Sequence, residues 1–137
     1  MLKKTVTYTD FNDMERTEDF YFNLTKAELA EMESSVKGGF AEYVRRIAKA
    51  EDTPTLAKIF KDLVLQAYGV PSTDGRSFQK VDEDGRPLSR LFAQTEAYSE
   101  IYMELATDTD AAIAFMNGIV PKQIAEEVKK HPELAKI

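Results

Sequence analysis

The sequence predicts an α+β protein, mostly α, in which an N-terminal β-hairpin packs on a bundle of about five to six short helices. Two observations predict this class. Residues 4–24 alternate apolar and polar positions and are rich in β-branched and aromatic residues. From residue 25 onward, apolar residues recur at the helical period, and capping residues, glycines and prolines divide them into short segments.

The hairpin is expected over about residues 4–24. The polar cluster from Asp10 to Asp13 predicts the turn between its strands. Its apolar face should carry large alternating residues, namely Val6, Tyr8, Phe20, Phe22 and Leu24. Because a lone hairpin is only marginally stable in water, this face should lie on the helices that follow.

The first helix has the clearest start signal in the chain. Thr25 and Glu28 match the T-x-x-E capping box, in which each side chain accepts a hydrogen bond from a free backbone N–H of the other. Leu24 and Leu29 stand where a hydrophobic staple would place them. The two glycines after Lys37 predict the end of this helix.

Two more helices are predicted before residue 69. One has a single apolar face made of Phe40, Tyr43, Val44, Ile47 and Ala48. The next begins at Thr53-Pro54, a capping residue followed by proline at the first helical position, and Gly69 should close it. Its core stripe comprises Leu56, Ile59, Phe60, Leu63, Val64 and Ala67.

Residues 69–87 form the longest irregular stretch. The Asp-Gly pairs at residues 74–75 and 84–85 predict turns. Between them, the residues from Ser77 to Val81 are expected to form a short strand that joins the hairpin.

The stretch from Phe92 to Pro121 predicts two helices joined by a polar corner. The first helix carries an apolar stripe of Ala97, Tyr98, Ile101, Tyr102 and Leu105, and the second carries Ala112, Phe115 and Met116. Residues 107–110 supply capping groups between them, and Asn117-Gly118 is a C-terminal signal.

A last helix is expected from Pro121 to about Lys130, followed by a frayed tail over residues 131–137. The helical part should therefore span about residues 25–130. With 137 residues and no composition break, the chain is expected to be a single domain over residues 1–137.

Composition limits the function classes. Eighteen basic and 24 acidic residues give a net charge of −6, so a nucleic-acid partner is not expected. No apolar run approaches the roughly 20 residues that cross a bilayer, so no membrane partner is expected either. The chain has no cysteine, which excludes disulfides and fits a reducing compartment. A soluble intracellular protein is the expectation.

No group of residues matches a catalytic, cofactor or metal site. The one histidine, His131, precedes a proline in the expected tail, where a base for a nucleophile is improbable. A calcium loop with Gly85 at its sixth position would begin at Lys80 and end at Leu91, which cannot coordinate the ion. Asp108 and Asp110 could pair for acid–base chemistry, but helix capping explains them better. We therefore expect no enzyme activity and no cofactor.

The order of short segments along the chain resembles the tail assembly chaperones of long-tailed phages and prophages of Gram-positive bacteria. The segments are F-Y-F-N-L (20–24), T-K-A-E-L (25–29), F-K-D-L-V-L-Q-A-Y-G (60–69), S-T-D-G-R-S-F-Q-K (72–80), F-A-Q-T-E-A-Y-S-E (92–100) and E-L-A-T-D-T-D-A-A-I-A-F-M-N-G-I-V-P (104–121). Residues 82–87 depart from the family pattern.

The resemblance implies a non-enzymatic protein that binds the tape measure protein and keeps it soluble while tail tube subunits polymerise around it. It implies action in the host cytoplasm and absence from the mature virion. The expected partners are the tape measure protein and the tail tube protein, with self-association left open. The alternative is a structural tail or head–tail connector protein that stays in the virion.

Binding of helical clients would require apolar and tyrosine-bearing surface, because tyrosine buries area while its hydroxyl stays hydrated. Core packing competes for the same side chains. The candidate partner-binding residues are Tyr98, Tyr102, Phe115, Met116 and Ile119.

Overall fold

The computed structural model of the chain describes residues 1–35, 37–39, 42, 46 and 53–121. Its elements follow in this order: β1 (Leu2–Thr9), β2 (Glu15–Phe22), α1 (Lys26–Ser34), α2 (Thr53–Ala67), β3 (Tyr68–Pro71), β4 (Phe78–Gln79), α3 (Ser89–Phe92), α4 (Glu96–Thr107) and α5 (Thr109–Ile119). The predicted class, α+β and mostly α with an N-terminal hairpin, is confirmed.

The sheet has four antiparallel strands in the order β1-β2-β3-β4. β1 and β2 pair from Leu2 opposite Phe22 to Thr9 opposite Glu15, so the hairpin spans residues 2–22 rather than 4–24. Pairing stops at Phe22 because the next two N–H groups bond elsewhere. The N–H of Asn23 donates to the Ala67 carbonyl at the end of α2, 2.7 Å away. In the same way the N–H of Leu24 reaches the Ile119 carbonyl at the end of α5, so the hairpin caps two helices.

The predicted turn between residues 10 and 13 is confirmed and is organised by one carboxylate. Asp10 Oδ1 accepts hydrogen bonds from the N–H groups of Asn12 and Met14, at 2.8 and 3.0 Å. Arg16 Nε donates to Asp10 Oδ2 at 2.6 Å. The hydrogen bond from Arg16, followed by those from the backbone, lowers the pKa of Asp10. Asp13 takes a φ of 61°, a left-handed conformation that aspartate tolerates.

The segment after α2 is more regular than its sequence predicts. Gly69 was expected only to close the helix, but it lies in β3 and pairs with Tyr21 of β2. The expected strand between Ser77 and Val81 is reduced to Phe78–Gln79, and it pairs with β3 rather than with the hairpin. A Cβ at Gly69 would stand 2.5 Å from the Phe78 ring, so this close pairing requires glycine.

The predicted capping box opens α1. Thr25 Oγ1 accepts from the Glu28 N–H at 3.2 Å, and Glu28 Oε1 accepts from the Thr25 N–H at 2.9 Å. The helix ends at Ser34, before the two glycines that predicted its end. The next predicted helix, with its face from Phe40 to Ala48, lies outside the described residues apart from Glu42 and Arg46, and so does the one expected from Pro121 to Lys130.

The predicted corner between α4 and α5 is confirmed, and α5 ends one residue beyond the predicted Asn117-Gly118. Asp108 caps α5 by accepting a hydrogen bond from the Ala111 N–H at 3.1 Å. The helix then continues through Asn117 and Gly118 to Ile119. A Cβ at Gly118 would meet the Leu2 side chain at 2.9 Å, so this glycine serves the packing of α5 against β1.

The core lies between one face of the sheet and the helices. Its buried apolar residues come from both parts of the chain: Phe22, Leu24, Phe60, Leu63, Val64, Ala67, Phe92, Ala97, Ile101, Leu105, Phe115 and Ile119. Successive ring contacts also join nine aromatic residues into one network: Tyr8, Phe20, Phe22, Phe60, Tyr68, Phe92, Tyr98, Tyr102 and Phe115.

Phe92 is the centre of this network. Its ring stacks on Tyr68 with centroids 4.1 Å apart and contacts Phe20, Phe22 and Tyr98 at 5.5–5.8 Å. The short helix α3 holds this ring against β2, β3 and α4 at once. One side chain therefore connects α4 with two neighbouring strands of the sheet.

Replacing Phe92 by alanine should cost about 3–5 kcal/mol of unfolding free energy, because it removes a buried ring that is 3% exposed. The matched control is its neighbour Leu91, 74% exposed, where alanine should change stability by less than about 0.5 kcal/mol. Urea unfolding followed by circular dichroism measures both. If Phe92→Ala proves too unstable to isolate, Phe92→Leu should show a smaller loss in the same direction. Equal stability of the Phe92 and Leu91 variants would contradict this account of the core.

An ion pair between α1 and the residue after β4 predicts a pH dependence. Lys80 Nζ donates to Glu28 Oε2 at 2.6 Å and to the Asn23 carbonyl at 2.8 Å. Burial opposes the ionisation of Glu28, but the hydrogen bonds from Lys80 and Thr25 outweigh it and lower the pKa of Glu28. A lowered folded-state pKa contributes stability above the unfolded-state value and loses it as the pH falls.

Wild-type protein should therefore exceed Glu28→Gln in unfolding free energy by about 0.5–1 kcal/mol near neutral pH. Because glutamine keeps the capping box, the difference in unfolding free energy between the two proteins measures the effect of the Glu28 charge. It should shrink as the pH falls below about 4.3, the unfolded-state pKa of glutamate. Denaturation at a series of pH values tests this. Asp62→Asn, which breaks the exposed pair with Lys58, is the control and should change stability by at most about 0.5 kcal/mol. A difference that grows on acidification would refute the assignment.

Candidate functional site

A cleft of ≈ 490 Å³ lies between the hairpin turn and the N-terminal half of α4. It is lined by Phe11, Lys61, Ala93, Gln94, Thr95, Glu96, Tyr98, Ser99, Tyr102 and Met103. We call it the tyrosine cleft, because two of the predicted partner-binding residues, Tyr98 and Tyr102, form part of its wall.

The start of α4 fixes the position of the first tyrosine. Thr95 Oγ1 accepts a hydrogen bond from the Tyr98 N–H at 3.1 Å and donates to the Phe92 carbonyl at 2.7 Å. The cap thus joins the end of α3 to the first turn of α4. The rings follow the same order, since Phe92 contacts Tyr98 edge-on at 5.5 Å and Tyr98 contacts Tyr102 at 6.0 Å. The cleft wall is therefore continuous with the core.

Both tyrosines are partly buried, so each offers part of its ring to the surface. Burial, and then the negative potential from Tyr102 and Asp62, raises the pKa of Tyr98. Its hydroxyl is therefore neutral at physiological pH and able to donate or accept a hydrogen bond. A half-buried ring with a hydrated hydroxyl is typical of protein interfaces.

Two strongly exposed apolar residues complete the cleft. Phe11, in the hairpin turn, is 75% exposed, and Met103 of α4 is 54% exposed. Lys61 and Glu96 supply charge at the same cleft. An apolar centre with charged groups beside it is the arrangement expected of a surface that binds another protein chain.

The structure separates the five predicted partner-binding residues. Tyr98 and Tyr102 line the cleft, whereas Met116 of α5 is partly buried against the core. Phe115 is 2% exposed and Ile119 is fully buried. Phe115 contacts the rings of Phe22 and Phe60. The side chains of Phe115 and Ile119 therefore pack in the interior of the protein.

Sequence reasoning missed Phe11 and Met103. Phe11 follows Asp10 in a polar turn, where a large apolar side chain has nothing local to pack on. A large apolar residue in such a turn is the sequence signal that could have identified an exposed contact residue. Met103 lies outside the apolar stripe of α4, so the helical period marks it as exposed. Neither position indicates a cleft until α4 is placed beside the hairpin turn.

A second groove, of ≈ 630 Å³, lies between α1, α2 and the loop after β4. The Lys80–Glu28 ion pair contributes to its lining, together with Glu31 and Asp62. Its apolar lining comes from Leu24, Met32, Leu65, Tyr68, Val81 and Pro87. Its lining is no less apolar than that of the tyrosine cleft, but Val81 is the one large apolar side chain of this lining that is strongly exposed, whereas Phe11 and Met103 are both exposed at the cleft. We therefore take the tyrosine cleft as the candidate site.

Among the residues that the structure describes, no cluster of three or more His, Cys, Asp or Glu side chains could hold a metal ion. Asp108 acts as the predicted helix cap. His131 lies outside the described ranges. None of the helices in those ranges combines the length and apolar character that a bilayer crossing requires.

Comparison with curated proteins and with solved structures found no significant match. A family model described as phage tail assembly chaperone matches residues 1–136. That match covers the hairpin, the helices and the tyrosine cleft together. The chain therefore belongs to the phage tail assembly chaperone family.

Proposed function

We propose that this chaperone binds the tape measure protein of a long-tailed phage or prophage of Gram-positive bacteria. It keeps that long helical protein soluble until tail tube subunits polymerise around it. It acts in the host cytoplasm without enzymatic activity and is absent from the mature virion. Family membership supports the role in tail assembly, and the tyrosine cleft supports the mode of binding.

The observation that carries this proposal is the exposure of Phe11 and Met103 beside Tyr98 and Tyr102. An amphipathic helix presents apolar side chains at i, i+3, i+4 and i+7, and it binds by placing them in an apolar groove. In the cleft, Phe11 and Met103 are the exposed apolar side chains that such a helix would contact. The net charge of −6 would keep the complex soluble after the apolar surface of the client is covered.

A pair of double variants tests the cleft. Phe11→Ser with Met103→Ser removes its two most exposed apolar side chains, and the loss of anchors at an interface centre costs about 2 kcal/mol, or about thirtyfold in Kd. Met14→Ser with Leu91→Ser removes two other exposed apolar residues, neither of which lines the cleft.

The measurement is the affinity for a purified tape measure segment, together with the soluble fraction of that segment on co-expression. The first double variant should lose both, and the second should behave as wild type. Equal behaviour of the two variants would remove the cleft from the proposal. A tape measure segment that stays soluble without any chaperone would contradict the proposed function itself.

Mass spectrometry of purified phage particles separates the chaperone from the alternative of a structural tail or connector protein. A chaperone that leaves after assembly should be missing from the particles. Stoichiometric recovery of this chain from virions would favour the structural role.

A further inference from the structure

Within the part of the chain that the structure describes, β1 forms one edge of the sheet, because β2 is its only neighbour there. It is 8 residues long, whereas β3 and β4 on the opposite side have 4 and 2 residues. A long edge strand presents a row of backbone N–H and C=O groups that another strand can pair with. This edge is distinct from the tyrosine cleft.

The hairpin register identifies the outward groups. The Asp10 N–H donates to the Met14 carbonyl at 2.9 Å, which directs the backbone of residue 10 towards β2. Since the direction alternates along an antiparallel strand, even-numbered residues of β1 bond to β2 and odd-numbered ones face outward. Thr5 and Thr7 are the central outward pair. Their hydroxyls bond to Asp19 and Thr17 of β2, so the edge itself is left to the backbone.

The edge lies in a groove and not on an open surface. A groove of ≈ 330 Å³ follows it, with α4 as the opposite wall. The lining from β1 is Thr5, Val6 and Thr7, and the lining from α4 is Glu100, Ile101, Met103, Glu104 and Thr107. We call this the edge groove. Side chains from both faces of β1 reach it, as expected if the groove runs along the strand edge.

The charges of the edge groove indicate the kind of strand that fits. Glu104 pairs with Lys4 at 2.7 Å, at one end of the groove. Glu100 forms no ion pair with any described residue, so its charge is available to a ligand. Met103 adds an exposed apolar side chain to the lining of the same groove. A strand carrying a lysine or arginine, with apolar residues at alternate positions, would match both features.

We propose that the outer edge of β1 binds an extended, basic segment of a protein partner, which adds to the sheet as a further strand. Backbone hydrogen bonds to Thr5 and Thr7 would provide the pairing. Glu100 would select a basic side chain. The inference does not depend on the helical client proposed for the cleft.

The test uses the full chain and a fluorescent peptide of 8 residues, the length of β1. Valine occupies every second position of this peptide, and lysine and threonine occupy the positions between. Two matched peptides serve as controls, one with proline in place of valine and one with glutamate in place of lysine. Fluorescence anisotropy should show binding of the first peptide, and each control should bind at least about tenfold more weakly. Equal binding of all three peptides would overturn the proposal.

Two variants locate the binding. Thr7→Pro removes an outward N–H, and with it the hydroxyl contact to Thr17, but it leaves the backbone bonds to β2, and edge strands accept such a proline. Glu100→Lys reverses the selecting charge without touching the backbone, so it keeps the test decisive if the proline variant fails to fold. Each should weaken the peptide by about tenfold or more, whereas Glu83→Lys, a charge reversal on an exposed loop, should not. Unchanged affinity in Glu100→Lys would overturn the proposal.

Hydrogen exchange measured by NMR distinguishes strand addition from a purely electrostatic contact, because only strand addition would slow the exchange of backbone amides. Peptide binding should slow exchange at the Thr5 and Thr7 amides, because those N–H groups become hydrogen-bonded. Binding that leaves both amides unprotected would overturn strand addition. So would a protein that dimerises through β1 and excludes the peptide, since the occupant would then be a second copy of this chain.

Discussion

The packing of the Phe92 ring against the sheet is the contact on which the rest of this structure depends. The sheet buries only one face, and its strands come from two distant parts of the chain. Phe92 stacks on Tyr68 of β3 and contacts Phe20 and Phe22 of β2, so it holds both parts together. Its fourth partner, Tyr98, begins the wall of the tyrosine cleft. Because aromatic pairs have preferred geometries as well as buried area, the core also orients the surface tyrosines.

The helical period of α4 places its residues in three different environments. Ala97, Ile101 and Leu105 face the core. Tyr98 and Tyr102, each one position further along, face the cleft, and Glu100 and Glu104 face the edge groove. Since residues four apart lie on the same face of a helix, each set of residues stays in the same environment along α4. Met103 lines both the cleft and the edge groove, so the two surfaces adjoin along one helix.

This arrangement suits a protein of the tail assembly chaperone family, whose work is contact with other chains. Among its exposed large apolar residues, Phe11 and Met14 lie in the hairpin turn and Met103 lies on α4, and the chain as a whole has more acidic than basic residues. Like charges on separate copies repel one another, which favours binding of a client over self-aggregation. The cleft and the edge groove together would allow the chain to engage helical and extended segments by different physical means.

The sequence by itself determined the features that depend on residues a few positions apart. The Thr25–Glu28 capping box and the Asp108 cap are of this kind, because a side chain there bonds to its own neighbouring backbone. Only the tertiary structure decided that Gly69 belongs to a strand and that Gly118 lies within the last turn of α5, since a Cβ at these positions would collide with Phe78 and Leu2 respectively. The same holds for the candidate site. The helical period marks Tyr102 and Phe115 alike as apolar, and only the packing of α5 on β2 and α2 buries Phe115 and leaves Tyr102 at the surface.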